Sequence, residues 1–372
     1  MKAIVGAASL VAGIAIVGYA LQTAIQTFLL PQPGLSLLSR FVFRSLQPVV
    51  HSIERAPLPP ARRYAWLSIY APLCLLLIVF GTIVVIGVGY TLILYGLGAS
   101  TLEAAFLISI SSVSTLGFAS MGSGVVIPLA ATIETMIGVL IVALLIGYLP
   151  TIYAAVQERE QAVAKLAMHV GTPPTGVSIL SRYAGADGAS RFESLMTEWS
   201  GWFVALAESH NALAGIVFAR SPQPQRSWVT TGGAVLDAAA LALTALAPPL
   251  AGAEPCLTAG SQALRQILDG VHLRPADDRA GEAALHVTRA DFDAACAALA
   301  QAGLPAATDR AAAWSAFATR RGDYDAALVA LCRLTRAPAA PWSSLHPAAR
   351  LPLMLPLWPS RKHAVSTTTA DS

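Results

Sequence analysis

"SVSTLGFAS", residues 112–120, is a polar, glycine-bearing run between two of the most hydrophobic stretches of the chain. The run before it, "LEAAFLISISS" (Leu102–Ser112), has 11 residues. As a helix it would be about 16 Å long, roughly half a bilayer core. Such a segment can enter a membrane and return but cannot cross. Non-helical backbone at membrane depth is tolerated only where protein buries it or where it lines a watery path. Half-helix, polar run and following full span therefore describe a re-entrant pore element. Four such elements around one axis would make a homotetramer. The competing reading is a glycine turn between two ordinary spans, with Leu102–Ser112 in a short outside loop. Such a loop should be more polar than "AAFLISI".

The flanking stretches fit a membrane part. "WLSIYAPLCLLLIVFGTIVVIGVGYTLILYG" (Trp66–Gly96) and "PLAATIETMIGVLIVALLIGYLPTIYAAVQ" (Pro128–Gln157) each exceed the roughly 20 residues that span a bilayer core. A third apolar run covers Ala3–Leu30. Lys2 before it allows a signal peptide, but its length and the lack of a clean cleavage site favour a retained helix. Trp66, Tyr70, Tyr90 and Tyr95 stand where interfacial aromatics could sit. Residues 31–63 carry Arg40, Arg44, Arg55, Arg62 and Arg63 against Glu54, which places this connector on the cytoplasmic side. Phe41, Phe43, Leu46 and Val49 give it an amphipathic pattern.

The chain of 372 residues is 55% hydrophobic and 12% charged, with mean hydropathy +0.61 and net charge +3. That net charge is too small to suggest a nucleic-acid partner, and no basic run of useful density appears. After Gln157 the character changes. Residues 158–355 are Ala- and Leu-rich, with charges at helical intervals and breaks at "GTPPTG", "SPQPQ", "APPLAGAEP" and "APAAP". They read as a soluble, mostly helical cytoplasmic domain, with "RRGDYDAALVALCRL" faintly like one helical-repeat unit. Residues 356–372 read as a disordered tail. Cys74, Cys256, Cys296 and Cys332 form no CxxC and read as reduced thiols.

The filter-like residues resemble the potassium-channel pore-loop family, whose signature is TVGYG; here the match is Thr115-Leu116-Gly117-Phe118-Ala119. The resemblance covers residues 64–157: outer helix 66–96, pore helix 102–112, filter 115–119 and inner helix 128–157. It implies rings of backbone carbonyls from Thr115, Leu116, Gly117 and Phe118, with the Thr115 hydroxyl, replacing the hydration shell of K+. Gly117 would supply the φ > 0 that the carbonyls require. Leu116 and Phe118 would face into packing. The pore helix would aim its C-terminal dipole at the ion path. Ala119 stands where the family has its second glycine, and Ser120 where an acid usually follows. A left-handed Ala119 would cost roughly 1–2 kcal/mol, unless the backbone turns differently and Gly122 and Gly124 take up the return.

Ser111, Ser112 and Ser114 would support the filter. Glu134 either hydrogen-bonds behind it or reaches headgroups as an interfacial acid. Glu103 would cap the pore helix. Gly138, Gly147 and Pro150 are read either as gating positions or as close helix packing. Ala143, Gly147 and Tyr148 are candidate pore-facing residues. No span carries Arg at every third position, so no voltage sensor is expected. Glu208 and His210, near Trp199 and Trp202, read as helix core and surface before a ligand site. No nucleophile–base pair, cofactor or metal motif stands out. The expectation is an all-α membrane protein with three transmembrane helices, a re-entrant pore helix and filter, and a soluble helical cytoplasmic domain. It would be a homotetrameric, non-enzymatic, potassium-conducting channel subunit of the cell membrane, with K+ as the permeant ion. The alternatives are a nonselective cation channel of the same architecture and a non-conducting membrane sensor or scaffold.

Overall fold

The computed structural model describes residues 2–28, 36–121, 124–185, 187–221, 223, 225–273 and 285–343. The expected tail 356–372 and Gly122 lie outside the described residues. Among the described residues the regular structure is helical, with one isolated β-bridge, Leu246 to Ala306. The helices are α1 (Lys2–Phe28), α2 (Leu37–Arg55), α3 (Pro60–Ser68), α4 (Tyr70–Gly96), α5 (Leu102–Val113), α6 (Val126–Val170), α7 (Gly176–Arg182), α8 (Gly188–Ala212), α9 (Trp228–Thr244), α10 (Glu254–Gly270), α11 (Arg289–Gln301), α12 (Arg310–Gly322) and α13 (Asp325–Thr335). Short 3-10 turns cover Ala214–Phe218 and Ala251–Ala253. Among the described residues three helical segments are long and apolar enough to cross a membrane: Ala3–Gln26, Ala65–Gly96 and Val126–Val170.

The chain divides into two compact units, one of residues 1–42, 48–162 and 208–222, the other of 43–47, 163–207 and 223–372. On α6 the division falls at 162/163, against the expected 157/158, and 208–222 belongs with the first unit. Nor does α6 stop at Gln157. "EREQAVAKLA" contains good helix formers throughout, so polarity changes there while helicity does not. The helix ends where Gly171 takes φ +88° ahead of Pro173 and Pro174.

In the first unit, α1 lies antiparallel on α4 at backbone contact. A Cβ built on Gly13 would sit 2.6 Å from the Gly89 carbonyl oxygen, and one on Gly96 would sit 2.6 Å from that of Gly6. Gly6 and Gly13 are seven residues apart, as are Gly89 and Gly96. A seven-residue repeat of small side chains keeps one seam facing a partner, as in left-handed helix pairs. Val17, Ala20, Val79, Ile86, Tyr90 and Ile141 form a buried cluster beside it. Tyr90 is thus buried within the chain.

In the second unit α9 is the central helix, and every residue but Leu243 is buried. Helices α7, α10, α12 and α13 pack on it. A helix apolar on all sides must be covered on all sides. The N-terminus of α7 approaches closely, since a Cβ on Gly176 would lie 2.9 Å from the Ala238 amide nitrogen. One charge sits within α9. Asp237 pairs with Arg321 and accepts from the Tyr324 hydroxyl at 2.7 Å. Arg321 also donates to Asp325 at 2.7 Å and to the Trp342 carbonyl at 2.7 Å. His286 Nδ1 meets the other oxygen of Asp325 at 2.6 Å.

Candidate functional site: the segment after α5

Helix α5 starts at a Thr101 cap, whose hydroxyl accepts from the Ala104 amide at 3.0 Å, with Glu103 in its first turn. It ends at Val113, and the chain to Met121 has no regular structure. A helix leaves its last carbonyls without intrahelical partners. Here the following residues fill them. The Leu116 and Gly117 amides both donate to the Ser111 carbonyl at 3.1 Å, and the Thr115 amide donates to that of Ser112 at 2.9 Å. The Ser111 hydroxyl accepts from the Ala119 amide at 3.0 Å. Ser111 is fully buried and therefore holds the segment at three of its residues.

Two backbone residues here are left-handed, Thr115 at φ 62° and Gly117 at φ 66°. Glycine adopts this freely; a β-branched threonine does not, at a cost of about 1–2 kcal/mol. Ala119 is not left-handed. The second left-handed position lies two residues before Gly117, not two after. Ala119 and Met121 then pack beside Leu94, Ala105, Ile108 and Ala131, which anchors the far end of the segment. Leu116 and Phe118 are 72% and 59% exposed, so the single chain leaves most of their surface uncovered.

The other expected residues separate. The Ser112 hydroxyl bonds back to the Ile108 carbonyl at 2.8 Å, and that of Ser114 to Ile110 at 2.6 Å. Glu134 is fully buried and meets none of Ser111, Ser112 and Ser114; its Oε1 lies 2.5 Å from the Ser109 hydroxyl. Ser109 also lies 2.9 Å from the Gly87 carbonyl, so α4, α5 and α6 converge on this hydroxyl. Thr135 reaches the Ser112 carbonyl at 3.0 Å. Sequence reading missed Ser109 and Thr135. Their signal was available: Ser109 is the one polar residue in the apolar part of α5, and Thr135 adjoins the intramembrane acid.

The glycines of α6 also separate. A Cβ on Gly138 would come within 2.8 Å of the Val113 carbonyl, so Gly138 serves close packing of α6 on the end of α5. A Cβ on Gly147 would meet nothing within 4 Å beyond its own helix. Helix α6 runs through Pro150, which has no N–H to give the Ile146 carbonyl. Tyr148 is half-buried and lines a cavity with α4, while Ala143 and Gly147 are exposed.

In the second unit, Trp199, Trp202 and Phe203 form an aromatic cluster, with Trp199 and Trp202 ring centres 4.6 Å apart. His210 is buried. Among the described residues no group of His, Cys, Asp and Glu could hold a metal ion. Burial pushes the Cys256 and Cys332 thiols up to about 12, which leaves them protonated and poorly nucleophilic. Burial also pushes the Asp325 carboxyl up, but the His286 hydrogen bond and the Arg321 guanidinium outweigh it and hold the group below its usual range.

No protein-family model, no curated protein and no solved structure matches this chain.

Proposed function

We propose that the protein is a potassium-channel-like subunit, in which four copies surround one axis and conduct monovalent cations passively across the cell membrane. The observation that carries the reading is the segment 114–121. It lies between two helices long enough to span, follows a 12-residue helix, and holds two left-handed residues, Thr115 and Gly117, whose amides are braced on the Ser112 and Ser111 carbonyls. With its amides turned back to α5, a segment of this kind can offer carbonyls to a dehydrated cation. Exposed Leu116 and Phe118 would pack against neighbouring copies. In this reading α5 is a re-entrant pore helix, 115–119 the filter, and Gly147 with Pro150 a hinge on the inner helix. In this reading the N-terminus lies outside, residues 31–63 inside, 100–127 outside and 158–372 in the cytoplasm.

One observation favours a nonselective variant of the same architecture. Ala119 and Ser120 replace the family's glycine and acid, and the left-handed positions are Thr115 and Gly117. The ring geometry would then differ from that of a strict potassium filter. The deciding experiment is single-channel recording of the purified protein in planar bilayers, with reversal potentials in mixed potassium and sodium. Gly117→Ala puts a side chain on a left-handed residue and should abolish or strongly reduce conduction. Unchanged conductance and selectivity in that variant would remove the filter assignment. The C-terminal unit is proposed to assemble or regulate the pore without catalysis.

A further inference from the structure

The carboxyl group of buried Glu134 meets one hydroxyl, that of Ser109. Among the described residues its second oxygen, Oε2, has no hydrogen-bond partner. An ionised carboxylate offers about four lone-pair sites and is costly to bury with most of them empty. No cation is at hand to offset the charge. Neither α4 nor α5 contains Lys, Arg or His, and α6 contains none before Arg159. Tyr90 of α4 is the titratable side chain that senses a charge on Glu134. Tyr95 of α4, Glu103 in the exposed first turn of α5 and exposed Tyr19 of α1 likewise bring no positive charge.

The hydrogens decide the state of the acid. Ser109 Oγ lies 2.5 Å from Glu134 Oε1 and 2.9 Å from the Gly87 carbonyl oxygen. Both separations are of hydrogen-bond length, so each needs a hydrogen between its two oxygens. The carbonyl can only accept, and it already takes the Thr91 hydroxyl at 2.7 Å. Ser109 has a single hydrogen to give. With an ionised acid one of the two contacts is left without a hydrogen; with a neutral acid both are filled. We propose that Glu134 is held as the neutral acid and acts as a proton-dependent latch: its O–H donates to Ser109, and the Ser109 O–H donates to the Gly87 carbonyl, which ties α5 to α4 and to α6. When solvent base removes the Glu134 proton, the carboxylate claims the one Ser109 hydrogen. Ser109 Oγ then faces the Gly87 carbonyl lone pair against lone pair, and the bond from α5 to α4 is lost. Helix α5 carries the 114–121 segment at its end, so the latch sets how firmly that segment is based.

The test is infrared difference spectroscopy of the full-length protein in phosphatidylcholine nanodiscs, with hydrogen exchange of the α5 amides measured on the same samples. Neither measurement reads flux, so the latch stands or fails apart from the channel reading. A carboxylic-acid C=O band is expected at neutral pH in the parent and absent from Glu134→Gln. As pH is raised, that band should fade while exchange of the α5 amides rises above its intrinsic pH dependence. Glu134→Gln keeps a donor and an acceptor in the same shape, so its α5 should stay protected across the titration. The proposal is overturned if parent and Glu134→Gln show no difference band at neutral pH. It is overturned equally if their α5 exchange changes alike with pH, or if the band survives the whole titration. Ser109→Ala reads the same proton without touching the acid. Its band should shift to higher frequency because the acid has lost its acceptor, and an unshifted band overturns the latch even if Glu134→Gln does not fold.

Discussion

Helices α6 and α9 are both strongly apolar, yet their surfaces are treated in opposite ways. Along α9 all residues but Leu243 are covered by the chain itself. On α6, Leu129, Ile133, Met136, Leu140, Ile146 and Leu149 are exposed. The buried acids follow the same division. Asp237 on α9 has a guanidinium and a phenol, while Glu134 on α6 has one serine. A unit that closes its own core can surround a charge with countercharge. A helix whose surface the chain leaves uncovered holds its acid by a single hydroxyl. Hydropathy alone does not separate these cases; what covers the surface does.

The strongest way to break the comparison is to remove the guanidinium at the centre of the second unit. Arg321→Met leaves Asp237 and Asp325 without their cation, and loss of one partner of a buried pair costs about 3–5 kcal/mol. Urea unfolding of the full chain, followed by tryptophan fluorescence, should show that loss. Adding Asp237→Leu should restore part of it, because a well-packed apolar replacement need not be worse than the pair. If the single variant unfolds like the parent, the network is not what holds α9, α12 and α13 together.

The α1–α4 seam is the counterpart in the first unit. Gly13→Val must push the helices apart, at about 1–3 kcal/mol. Gly147→Ala meets open space and should be neutral or stabilising by up to about 1 kcal/mol. Thermal melts in detergent should rank the two in that order, and equal melts would mean that α1 does not pack as described.

At the filter-like segment the expected change is about 1–2 kcal/mol per chain and of opposite sign at two positions. Thr115→Gly relieves a strained residue, whereas Gly117→Ala creates one. Ala119→Gly, at a residue that is not left-handed, should do little. Reversal potentials and melts on the three variants separate them. A larger effect at Ala119 than at Thr115 would reverse the backbone assignment.

The smallest effect is the acid limb of the second unit. Asp325 is held below its usual range, so its contribution is complete above about pH 4 and fades as pH falls through the folded value. Its removal in Asp325→Asn should therefore flatten the loss of stability below about pH 4 relative to the parent, read by the same urea midpoints across pH. An acid limb as steep in the variant as in the parent would assign the titration to another group.

Some of this was legible in the chain as written. Three long apolar runs and the half-length run before "STLGFAS" follow from hydropathy and helix rise, which are local quantities. The breaks at "GTPPTG" and "SPQPQ" fall between helices because Pro and Gly act on their own backbone. Gly117 was readable as left-handed for the same reason. Tertiary structure alone decided which polar groups meet. Ser109 found Glu134 across 25 positions of sequence, and Asp237 found Arg321 across 84. It also decided that Thr115 and not Ala119 carries the strain, because the bonds from Leu116, Gly117 and Ala119 to Ser111 set the course of the segment. Gly138 and Gly147 look alike in sequence, and one lies against a carbonyl while the other meets nothing. Backbone preference belongs to the residue, whereas close approach and charge pairing belong to whatever the fold places opposite it.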